Sequence, residues 1–335
     1  MILHPGVLGL LIGSGLVVAL MLAGAVIGVR VLRGWDPMSA SEHQLALERR
    51  TYLVSVLVSV ALWIEIGSAL LFIHTVDDLH ELFVGAMCAT GSLNANPVGW
   101  WVLATKAAMV LLFPVWIALN RLDQRAGDYP VVRLKYALLL ALTPIALADF
   151  ALQLRYFRGI EPDIITSCCG SLFSESSGKV TGDVASLPAA ATLPIFVAAS
   201  AIFLMALVWA LVGPGPISKI TVTALAPVML VVGVIAIISF ISVAYYELPT
   251  HHCPFDLFQS GNHYVGYPLV TSLVVAVVAA FLPGIFLPVA RRTSLGGLIT
   301  KSERTWLTLS IAAYSLFIAF AAWPLVFGNL AWELM

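Results

Sequence analysis

Charge is the scarcest property of this sequence. Only 10% of its 335 residues are Asp, Glu, Lys or Arg, where a water-soluble domain carries roughly 25%. So few charges cannot cover a water-facing surface, which excludes an ordinary soluble enzyme or carrier. The two signs nearly cancel, with 17 basic against 18 acidic side chains. No nucleic-acid partner is expected, because phosphate recognition draws on a basic face. Several chemical signatures are missing as well. The chain has no GxxxxGK[ST] phosphate loop, no HExxH or GxSxG, and no CxxCH for covalent haem. ATP-driven work would therefore need another subunit. Cysteine is rare too, with four in the whole chain.

Apolar residues fill the space that charge leaves. They make up 60% of the chain, and the mean hydropathy is +0.98. Crossing a bilayer core about 30 Å thick takes ~20 apolar residues at about 1.5 Å of helical rise each. Eight runs meet that length, at roughly 6–32, 52–74, 99–120, 134–157, 189–212, 219–246, 267–290 and 305–330. Backbone groups in lipid must be satisfied within the segment, so these runs predict helices. The expected fold class is an all-α integral membrane protein, a single polytopic domain over 1–335 with the lipid bilayer as its first partner. Pro114, Pro144 and Pro227 fall inside the runs and are tolerated there if neighbouring helices satisfy the freed carbonyls. No basic side chain precedes the first run, so it is expected to stay as an uncleaved helix.

Lys and Arg mark the cytoplasmic side. Arg30, Arg33, Arg49 and Arg50 follow the first run, and Arg121, Arg125, Arg133 and Lys135 follow the third. Lys219 follows the fifth, and Arg291, Arg292, Lys301 and Arg304 follow the seventh. An eight-helix path puts all of these loops on one side and both termini on the other. In a bacterial inner membrane that other side is the periplasm, where disulfides persist.

The outer loops, 75–98, 158–188 and 247–266, carry the chemistry. They hold Cys88, Cys168, Cys169 and Cys253, which are all the cysteines of the chain. Neighbouring Cα atoms are about 3.8 Å apart and a disulfide prefers about 5.5–6 Å. Cys168 and Cys169 are therefore expected to reach separately to Cys88 and Cys253, tying the three loops into one cap. His74, His80, His251, His252 and His263 lie at or in the same loops, and Asp256 follows Cys253 closely. Imidazole, thiol and carboxylate are the ligand types of zinc, copper or haem iron. These residues are candidate ligands of a metal ion (Cu or Zn) or a b-type haem. Adjacent residues point different ways, so His251 and His252 are not expected to serve one site together. Cys253-Pro254 also opens a C-P-x-C redox pattern, but Asp256 stands where its second thiol would be. Thiol exchange would have to run between loops.

Three ionisable residues fall inside the apolar runs: Glu65, Lys106 and Asp149. Intramembrane charges are costly and mark function, here a proton path or a quinone head-group pocket. Plain neutralisation of Glu65 by Lys106 is the structural alternative. The leading expectation is a redox or electron-transfer protein working with other membrane or periplasmic subunits. The rivals are a transporter or permease subunit, for a metal among other substrates, and a non-catalytic assembly subunit.

Overall fold

The computed structural model describes residues 2–39, 41–161, 165–166, 187–291 and 295–329. Among them the chain is helical, with one isolated bridge, Val84 to Ile165, and no strand. The helices are α1 (Pro5–Gly34), α2 (Glu42–Asp78), α3 (Ala89–Asn94), α4 (Gly99–Arg125), α5 (Val132–Arg158), α6 (Ala189–Val212), α7 (Pro216–Ala236), α8 (Ser242–Tyr246), α9 (Gly266–Ile285) and α10 (Gly296–Phe327). A π-helical turn, Ile237–Ile241, joins α7 to α8 into one rod. Eight segments are long and apolar enough to cross a membrane: α1, α2, α4, α5, α6, the α7–α8 rod, α9 and α10. The second departs furthest from its apolar run, since α2 begins at Glu42. Ser41 Oγ accepts the Gln44 amide at 3.3 Å, an N-terminal cap that starts the helix in polar sequence. Hydropathy does not register that stretch.

The chain divides into two compact units. The first comprises α1, α2 as far as Val76, α4, α5 and residues 289–299. Its core holds Val17, Met21, Val58, Phe113, Trp116 and Leu139. Gly24 and Gly28, one turn apart on α1, let that helix approach α5 closely. A Cβ on Gly24 would come within 2.8 Å of Leu139 Cδ2, and one on Gly28 within 3.0 Å of Tyr136 Cδ1. Small residues at such spacing are the usual device for close helix contact in lipid. Asp123 fastens the α4–α5 turn by pairing with Lys135 at 2.7 Å and accepting the Val131 amide at 3.1 Å.

Among the described residues, the second unit contains 77–94, 165–166, 187–288 and 300–329. Phe203, Leu207, Met229, Phe240, Leu273, Tyr314 and Phe317 form its core, and Ser200 Oγ bonds the buried Tyr314 hydroxyl at 2.7 Å. In both units the outward side chains are apolar. Ile12 is 68% exposed, Ile195 61% and Met205 63%. Water would not tolerate this surface, whereas lipid tails match it.

Candidate functional site

Apart from His74, the cap residues described here belong to the second unit. α2 ends at Asp78, and a 3-10 turn, Leu79–Leu82, leads to Gly85. Gly85 has φ of +85°, and a Cβ there would lie 2.7 Å from Thr166 O. Only glycine makes this turn without strain. It allows the Thr166 amide to bond Val84 O at 3.0 Å. Cys88 follows, immediately before α3. The buried Asp77 organises this segment. Its Oδ1 accepts the Ala89 amide at 3.0 Å and the Gln259 side-chain amide at 3.1 Å. Gln259 also donates to Met87 O at 2.9 Å, so one carboxylate ties the stretch around Cys88 to the loop that carries Cys253.

That tie brings two thiols together. Cys88 and Cys253 are both completely buried, and their sulfurs lie 3.5 Å apart. A disulfide measures about 2.05 Å, so the two sulfurs are in contact and not bonded. The Thr90 hydroxyl lies 3.4 Å from Cys253 Sγ, and the Tyr246 hydroxyl donates to Cys253 O at 2.6 Å. Asp256 completes the group. Its carboxylate and the two sulfurs lie within 4.8 Å of one another. Asp256 Oδ2 bonds His251 Nε2 at 2.5 Å, while its buried Oδ1 has no hydrogen-bond partner among the described residues.

The expected residues are only partly gathered here. Cys88, Cys253 and Asp256 converge, with His251 behind the carboxylate. His252 is buried and turned away, with its Nδ1 3.1 Å from Ile238 O in the π-helical turn. A π turn disturbs the regular carbonyl pairing of a helix, and the imidazole satisfies one of its oxygens. His80 Nδ1 bonds the backbone oxygen of Asp77. His263 is exposed with φ of +52°, and His74 is exposed on α2. Cys168 and Cys169 lie outside the described residues. Thr90, Tyr246 and Gln259 were not legible as site residues, because nothing in their local sequence shows that they meet this site, whereas Asp77 was readable as a possible first-loop ligand and instead accepts hydrogen bonds from Ala89 and Gln259.

The first unit holds a separate polar cluster in its apolar interior. Glu65, Lys106 and Asp149 are at most 2% exposed. Lys106 Nζ pairs with Glu65 Oε1 and, at 3.1 Å, with Asp149 Oδ2. It also donates to Ser68 Oγ at 2.6 Å. Thr105 donates to Asp149 Oδ1 at 2.7 Å, and the Gln153 amide nitrogen donates to Asp149 Oδ2 and, at 3.0 Å, to Ser14 Oγ. The expected Glu65–Lys106 pairing is present, but it is one edge of a triad of two carboxyl groups and one amine. Glu65 Oε2 and Gln153 Oε1 are buried acceptors without a donor among the described residues. Helical spacing held a usable signal for Ser68 and Gln153, which stand three and four residues beyond the two acids.

No protein family, no curated protein and no solved structure matches this chain.

Proposed function

We propose that this chain is a multi-pass redox protein of a bacterial inner membrane, with both termini on the periplasmic side and a dithiol centre formed by Cys88 and Cys253. The one-sided distribution of Lys and Arg supports the orientation. A single observation carries the redox reading: two buried sulfurs 3.5 Å apart beside a carboxylate with a bare oxygen. The reaction is the joining of the two thiols. Each sulfur loses its proton, one S–S bond forms, and two electrons leave. The thiolate is the reactive form, and Asp256, backed by His251, is placed to accept the first proton. Both sulfurs are closed to solvent, which favours a small lipid-soluble acceptor over direct attack by a bulky protein thiol. A quinone fits that description and balances the step, since it takes up both electrons and both protons to become the quinol.

The test is to supply a soluble quinone to the reduced, purified protein and follow quinol formation with thiol loss. The proposal expects two thiols lost per quinol formed, and no quinol from a Cys253→Ser variant. Quinone left unreduced by the fully thiol form would refute it.

One observation favours a second reading, soft-metal binding by a transporter or permease subunit. Two sulfurs on one tetrahedral zinc ion at about 2.3 Å each stand about 3.8 Å apart, close to the spacing found here, and Asp256 would supply a third ligand. Copper or zinc retained in stoichiometric amount after purification would support this reading against the first.

A further inference from the structure

The cluster inside the first unit has an accounting problem that its own residues do not solve. Two carboxylates and one ammonium leave one negative charge in an apolar bundle, and an uncompensated buried charge costs several kcal/mol. No other titratable group joins them among the recorded bonds. α1 contributes Ser14, α2 contributes Glu65 and Ser68, α4 contributes Thr105 and Lys106, and α5 contributes Asp149 and Gln153. The hydrogen bonds are unbalanced in the same sense. Both Asp149 oxygens are served, Oδ1 by Thr105 and Oδ2 by Lys106 and Gln153. Glu65 Oε1 is served by Lys106, Ser68 and Ser14. Glu65 Oε2 and Gln153 Oε1 receive nothing.

The ligand that removes both deficits is a cation small enough to sit on one oxygen. Hard metal cations such as calcium take about six to eight oxygens, and Lys106 already occupies most of those in the cluster. A proton needs one. It cancels the excess charge and turns a bare acceptor into a donor. We propose that this cluster is a proton-exchange site in which Glu65 Oε2 takes up and releases the proton and Lys106 holds the remaining oxygens in place. The site stands on the first unit alone and does not depend on the thiol reading.

Infrared spectroscopy of the purified protein in lipid tests it. The expected result is a protonated-carboxyl C=O stretch that shifts in deuterium oxide and is lost in Glu65→Gln. If Glu65→Gln does not fold, isotope labelling of the unaltered protein makes the same assignment. The band must shift with ¹³C-carboxyl glutamate and not with ¹³C-carboxyl aspartate. The absence of any such band, or one that follows aspartate, overturns the proposal. A band abolished when sodium replaces choline in the buffer also overturns it, because the site would then take a metal cation.

Discussion

Replacing Lys106 with methionine removes the one positive charge of the buried cluster while keeping most of the side-chain volume. Lys106 Nζ contacts Glu65 Oε1, Asp149 Oδ2 and Ser68 Oγ, and neither carboxylate has another basic partner among the recorded ion pairs. Lys106 and both acids are at most 2% exposed, so water does not screen the loss. Removing one partner of a buried pair costs about 3–5 kcal/mol. Taking about 3 kcal/mol, the folding equilibrium constant falls by roughly 150-fold, at about 1.4 kcal/mol per factor of ten. Unfolding in detergent, followed by tryptophan fluorescence, reads this change. Adding Glu65→Gln to Lys106→Met should recover part of the loss, because it removes one of the two stranded acids. The two substitutions should therefore be non-additive by about 0.5–3 kcal/mol. Lys106→Met within about 0.5 kcal/mol of the unaltered protein would show that the triad does not hold the bundle together.

Gly28→Leu drives a side chain into Tyr136 and should destabilise the first unit by about 1–3 kcal/mol, seen as a lower melting temperature. Asp77→Ala removes the acceptor shared by Ala89 and Gln259 and should cost about 1–3 kcal/mol; limited proteolysis should then cut near residues 83–88 sooner than in the unaltered protein. Asp256→Asn keeps the shape of the site but removes its base, and should slow thiol oxidation by on the order of 10²-fold while thermal stability changes little.

Element type was readable because a membrane span announces itself in composition. Eight long apolar runs correspond to eight long helices. Where a helix continues through polar sequence, as at Glu42–Arg50, the hydropathy signal stops and only the Ser41 cap marks the start. The site was legible as residue types and not as contacts. Cys88 and Cys253 are 165 residues apart, and no local pattern says that they meet. From the sequence, Cys88 and Cys253 are each expected to pair with Cys168 or Cys169, which lie outside the described residues; among those residues the Cys88 and Cys253 sulfurs lie against each other. Adjacency showed that His251 and His252 should diverge, but not which one would turn toward Asp256. That choice depends on a π-helical turn whose Ile238 carbonyl receives His252, and such a turn leaves no trace in hydropathy. The absence of a second thiol at Asp256 was visible from the start. The sulfur in contact with Cys253 is that of Cys88, contributed by another loop.

The most direct test of the dithiol account is peptide mapping by mass spectrometry after the reduced protein has been oxidised by quinone. The account predicts a disulfide-linked pair of peptides containing Cys88 and Cys253, which separates on reduction. Cys88 and Cys253 both recovered as unlinked thiols, or each linked only to Cys168 or Cys169, would contradict it.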